Sequence, residues 1–145
     1  MPFTFRLDPL ISIRDNFLKE KQAALAQVYE IRRIVEEKRL EIEKNIEANL
    51  QSAREMLHSG TVNVNFLLGL RQHDAFLVTQ REENLRHIAL LEEEIERRRN
   101  AVIEANKELK IIEKLKEKKH EEYLAEERRK ETREMDEIAG VRREA

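Results

Sequence analysis

Four histidines, thirty acidic residues and three glycines are the residues in this chain whose types could carry chemistry. Zinc chemistry on a helix needs two ligands at i, i+4, and His58, His73, His87 and His120 contain no such pair. The run "HEEYL" from His120 follows the two-histidine zinc signature for two letters only. His73 and His87 stand two heptads apart and can share a face, where solvent or the flank of a helical seam accounts for them. The stretch "LLEEEIERRRN" (90–100) is rich in carboxylates, yet acid/base work needs burial to drive their pKa values apart, and an exposed charged helix offers none. Gly60, Gly69 and Gly140 have no G-x-x-x-x-G-K-[ST] around them to cradle phosphates. The sequence therefore predicts no enzyme, no cofactor and no metal site. What remains is the chemistry of surfaces, and the elements that present them.

Composition points to long helices. The chain has 145 residues, 40% of them charged, with 5% aromatic residues and two prolines, a poor recipe for a compact core but the profile of a coiled coil. Disorder is the rival reading of so polar a chain, but disorder needs sparse apolar residues, and here they recur at a period. Net charge is -2, so neither a basic field for nucleic acid nor an acidic tail is expected. Without cysteine there is no disulfide framework and no thiolate metal site, which fits a reducing compartment. The start "MPFTFRLDPL" lacks the pattern of a secretion signal, and the longest apolar run, "FLLGL", is too short for membrane insertion.

The chain reads as two helices and one break. Asp8 is expected to cap the first helix with its carboxylate, Pro9 occupying a first-turn position where its missing N–H costs nothing. "HSGTVNVN" gathers turn formers between two apolar-periodic segments. The expected layout is one coiled-coil hairpin over 1–145: helix one over about 9–59, a turn over about 60–65, helix two over about 66–139 closed by Gly140, and a frayed tail over 140–145. The fold class is all-α, a two-helix antiparallel coiled coil with a C-terminal helical overhang.

Periodicity sets the pairing. Ala24, Val28, Ile31, Val35, Ile42, Ile46, Leu50, Ala53 and Leu57 form the stripe of helix one, with Lys38 in a gap. Its steps from Ile42 to Ala53 imply an eleven-residue phase that relaxes the supercoil near the turn. Ile88, Leu91, Ile95, Arg98, Val102, Ala105, Leu109 and Ile112 form a strict heptad seam in helix two. The matching register sets Val35 against Ile88, Val28 against Ile95, Phe17 against Ala105 and Leu10 against Ile112. Arg98, Lys116 and Lys119 are expected to extend their charged heads to water, with a register-setting role as the alternative for Arg98. From Glu113 onward, an overhang of up to about 45 Å would have no helix partner. Pairs such as Glu126 with Lys130 and Arg133 with Glu137 can support it, but Tyr123, Leu124, Met135 and Ile138 on an unpartnered helix suggest a docking face, with fraying as the plain alternative.

The stretches "FRLDPLISIRDNFLKEKQAAL" and, above all, "LKEKKHEEYLAEERRKETREMDEIA" (115–139) resemble the FliJ family of flagellar protein export components. The resemblance covers essentially the whole chain, and the family is similar to the two-stranded gamma-subunit stalk of rotary ATP synthases. It implies a non-enzymatic stalk that docks in the hexameric flagellar export ATPase ring, promotes ring assembly and activity, and couples it to the cytoplasmic domain of the export gate membrane protein. It also implies contacts with export chaperones and a cytoplasmic place, peripheral to the inner membrane at the flagellar base. Ring contacts fall on Leu10, Ile13, Tyr123, Leu124, Glu126, Arg129, Met135, Asp136, Glu137 and Ile138. Gate contacts carry over onto Ile42, Asn45, Asn49, His73, Leu77, Gln80 and Asn84, with Phe76 beside them. Ile42 and Leu77 can equally be seam residues, and Asn45 and Asn49 a solvated polar strip. The same architecture also suits the stalk of a virulence-type secretion system or a dimerising coiled-coil adaptor. A stalk predicts a monomer, because its seam is satisfied within the chain.

Overall fold

A computed structural model describes residues 2–144. Two helices account for nearly all of them: α1, Asp8–His58, and α2, Val64–Glu144. They pack against each other as an all-α hairpin, and no strand occurs among the described residues. The chain divides into two compact units, Met1–Lys21 with Ala101–Ala145, and Gln22–Asn100.

In the unit Gln22–Asn100, the helices reverse through the short turn between His58 and Val64. Ser59 N donates to Glu55 O at 3.0 Å and Gly60 follows with φ 77°, so α1 closes on a glycine in the left-handed region. Asn63 then caps α2: its Oδ1 accepts Phe66 N at 3.2 Å and its carbonyl accepts Leu67 N at 3.1 Å. This cap starts α2 at Val64, two residues before the expected position.

The core of that unit is one cluster of Val28, Val35, Leu91 and Ile95, flanked by Leu25 and Ile88. The expected partners Val28 and Ile95, and Val35 and Ile88, lie within it. Ion pairs hold the antiparallel register: Arg32 with Glu92, and Glu43 with Arg81 at 3.6 Å. Glu43 lies eleven residues after Arg32 and Arg81 eleven before Glu92, so the helices stay in step.

The buried face of α1 differs from the expected stripe. Its seam runs Leu25, Val28, Arg32, Val35, Arg39, Ile42, Ile46, Asn49, Ala53 and Met56, in alternating steps of three and four, with Ala24, Glu36 and Ser52 half-buried beside it. Ile31, Leu50 and Leu57, expected in the seam, are exposed. The eleven-residue phase is therefore absent, because Asn49 rather than Leu50 continues the heptad. Long basic side chains explain the difference. Arginine stems can cover apolar surface while their heads reach acids at the edge, so Arg32 and Arg39 hold seam positions that a hydrophobic pattern omits. Arg98 corrects a second expectation. Instead of reaching water, Nη1 donates to Ala24 O on α1 at 2.6 Å, while Nε donates to Glu94 at 2.8 Å.

In the unit containing both termini, Leu18, Ala105 and Leu109 form the core, with Ile11 and Val102 packed on it. Ile11 and Leu18 thus occupy the places expected of Leu10 and Phe17, one residue on. Phe17 turns outward, where Lys21 Nζ lies 5.0 Å from its ring centroid. Arg14 pairs with Glu108 at 2.7 Å. The Asp8 carboxylate does not serve as the expected cap; Oδ1 binds Lys116 Nζ at 2.7 Å, and Leu7 O accepts the first helical N–H groups from Leu10 and Ile11. Lys116 is accordingly ion-paired rather than extended to water. At the other end, α2 continues through Gly140 to Glu144 instead of closing after Ala139.

Candidate docking surfaces

The first surface belongs to the unit that holds both termini. Residues 2–7 precede α1 without helix or strand, and Phe3, Phe5 and Leu7 are half-buried while Pro2, Thr4 and Arg6 are exposed. The segment joins α1 through a turn in which Asp8 N donates to Phe5 O at 3.1 Å, and its alternating burial sets one side of it against a surface. The surface is α2. The Phe3 ring lies 4.9 Å from that of His120 and 5.5 Å from that of Tyr123, tilted by 47° and 43°. A groove of about 760 Å³ runs between the segment and Leu115, Lys119, Glu122, Tyr123 and Glu126. The overhang expected from Glu113 onward is therefore shorter, because a non-helical strap lies along α2 as far as Glu126. Sequence reasoning missed the strap, although Phe3, Phe5 and Leu7 already alternate in "PFTFRL".

Every residue from Arg128 to Arg143 is exposed. Met135 is 73% exposed and Ile138 57%, with Asp136 and Glu137 between them also open. Leu124 is exposed at the edge of the strap-covered region, and Glu126 pairs with Arg129 at 3.6 Å rather than with Lys130. Among the α1 residues expected here, Ile13 is exposed and Leu10 half-buried. The arrangement sorts the expected ring residues into two kinds. Tyr123 is engaged by the strap, whereas Met135, Asp136, Glu137 and Ile138 are open on a bare helix.

The second surface lies in the unit Gln22–Asn100. Ile42, Leu77 and Asn84 are buried, and their seam role is the one their burial describes. Asn84 Nδ2 donates to Val35 O on α1 at 3.2 Å, while its Oδ1 is buried without a partner. Gln80, Lys38 and His87 line a cavity of about 280 Å³ beside it, with Ile34, Val35 and Glu83. Asn49 is half-buried: its Nδ2 donates to Asp74 Oδ1 at 2.9 Å and stands 2.8 Å from His73 Nδ1. Asn45, His73 and Phe76 are exposed, Phe76 at 57%. The surface open to a partner is thus Asn45, His73 and Phe76, with Asn49 and Gln80 at its margin.

Electrostatics on α1 and α2 are local. The hydrogen bond from Arg33 holds the Glu30 carboxyl below its ordinary value, and Arg97, then Arg98, do the same for Glu94. Glu30 is exposed and Glu94 half-buried with solvent still in reach, so these pairs orient side chains more than they stabilise the fold. His58 is exposed at the end of α1, and no group of three His, Cys, Asp or Glu side chains gathers among the described residues as a metal ion needs. Among the same residues, no helix is long and apolar enough to cross a membrane.

The fold is thus a two-helix antiparallel coiled coil whose exposed faces mix apolar and charged side chains. A family model described as "Flagellar FliJ protein" matches residues 3–143, and the chain belongs to the FliJ family. A solved chain from Chlamydia trachomatis, described as a candidate YscO homolog, is similar at 22% identity and a TM-score of 0.46, over 97% of this chain and 94% of that one. No curated protein matches the chain.

Proposed function

We propose that this protein is a non-enzymatic stalk of the flagellar type III export apparatus, docking by its termini end in the hexameric export ATPase ring. The observation that carries the reading is the helix from Arg128 to Arg143, fully exposed yet bearing Met135 and Ile138 among alternating charges in a FliJ-family chain. A helix inside a ring needs contacts all round, and rim-like ion pairs there give orientation and association rate more than affinity. Met135 and Ile138 supply the desolvated contacts, and Glu126, Arg129, Asp136 and Glu137 the polar ones. Leu10, Ile13, Tyr123 and Leu124 complete the ring-facing set.

Asn45, His73 and Phe76, with Asn49 and Gln80 beside them, form the face for the export gate, while buried Ile42, Leu77 and Asn84 act by holding it in register. Export chaperones bind the same stalk, which works as a monomer in the cytoplasm, peripheral to the inner membrane at the flagellar base.

The test is the steady-state rate of the cognate export ATPase with the full chain and with a version ending at Glu127, with oligomeric state followed by light scattering. Stimulation and ring assembly that need residues 128–145 are the expected result. No stimulation by the full chain, together with a dimeric protein, overturns the reading and leaves a dimerising coiled-coil adaptor.

A further inference from the structure

We propose that residues 2–7 form a displaceable latch that covers the 115–126 face of α2 and must open before that face can contact a partner. The latch deepens the ring-docking reading and rests on it for the identity of the partner.

Three observations carry it. The segment makes no helix or strand and enters α1 through a turn closed by Asp8 N on Phe5 O, so no backbone ladder among the described residues ties it to α2. Among its side chains, Phe3 packs against His120 and Tyr123, and Phe5 and Leu7 are half-buried. A groove of about 760 Å³, open to solvent, runs between segment and helix, so water reaches the contact along its edge. A short cover without regular structure, beside an open groove, belongs to the low-stability end of a fold, from which moving elements are drawn.

Leu115, Tyr123 and Glu126 line the groove, and Tyr123 is at once the inner contact of Phe3 and a residue of the ring-facing set. Phe3 and an incoming apolar side chain therefore compete for the same ring. Lys119 and Glu122 flank the groove, so a newly uncovered face presents an aromatic centre with both charges at its edge. Binding to a state that is open only part of the time weakens apparent affinity in proportion; a latch closed about nine-tenths of the time weakens docking about tenfold.

Phe3→Ala tests this, because Phe3 is outside the ring-facing set and its removal leaves α1 and α2 intact. Hydrogen exchange of the full chain should show the amides of residues 115–126 exchanging roughly tenfold faster in the variant, with the seam around Leu91 and Ile95 unchanged. Titration against the cognate ATPase should show tighter binding by Phe3→Ala, and Phe3→Tyr should restore the weaker binding of the natural chain. Unchanged exchange over 115–126 overturns the latch. Equal or weaker binding by Phe3→Ala overturns the competition, since the segment is then inert or part of the docking surface. If neither form binds the ATPase, the competition falls with the ring reading, and faster exchange in the variant then identifies that reading rather than the cover as what failed.

Discussion

Two stretches of α2 are both helical yet stand in opposite environments, and the second is the more charged and the poorer in apolar residues. From Leu77 to Ile95, burial recurs every three or four residues, at Leu77, Asn84, Leu91 and Ile95 among the deepest positions. From Arg128 to Arg143, every side chain is exposed. Burying one isoleucine contributes about 1.5–3 kcal/mol, whereas an exposed charge pair one turn apart contributes about 0.2–0.5 kcal/mol. The first stretch is thus a helix because the other helix covers it. The second is a helix by propensity and local pairing alone, which leaves its surface free for a partner.

The largest effect separates the two stretches directly. Ile95→Ala, in the seam, is expected to cost about 2–4 kcal/mol of unfolding free energy in urea titrations followed by circular dichroism, while Ile138→Ala changes it by less than about 0.5 kcal/mol. Equal costs would mean that the bare helix is packed against something in solution, and the contrast would collapse.

Asn84→Leu sharpens the meaning of burial within the seam. The substitution gives up a bond to Val35 O but removes a buried acceptor that has no partner, so a gain of about 1 kcal/mol is expected, with some dimer appearing as the polar restraint on pairing is lost. Light scattering with thermal melts reads both; lower stability would show that the Asn84 bond contributes more than its orphaned oxygen costs.

Acidification has the smallest expected effect. Glu30 and Glu94 have depressed folded-state pKa values, so their contribution is present at neutral pH and is lost as pH falls through those values, below the ordinary carboxylate range. Because Glu94 keeps contact with solvent, Glu94→Gln at pH 7 should lower the melting temperature by less than Asn84→Leu raises it. A larger drop would show that the link from Glu94 through Arg98 to Ala24 O is a structural tie of the seam.

Much of this architecture is legible in the residues. The heptads of α2 from Ile88 to Ile112, the turn around Gly60 and the Val28–Ile95 register are all visible as apolar periodicity and turn chemistry. The face of α1 is harder to read, because Arg32, Arg39 and Asn49 occupy seam positions while apolar Ile31, Leu50 and Leu57 lie just beside them. Of the candidate surfaces, the Met135 to Ile138 patch can be inferred from an unmatched length of helix. The strap cannot, since six residues before a helix start carry too short a pattern to show what they lie on.

The sequence by itself determined an all-helical chain, its one reversal and the pairing of its apolar repeats, because each arises from local propensity and a period written along one strand of chain. Only the tertiary structure decided which flank of α1 closes the seam, that Asn84 and Arg98 donate to backbone carbonyls across it, and that Phe3 covers Tyr123. The reason is that a polar head or a short non-helical segment is stabilised by the atoms it meets, and those atoms lie dozens of residues away.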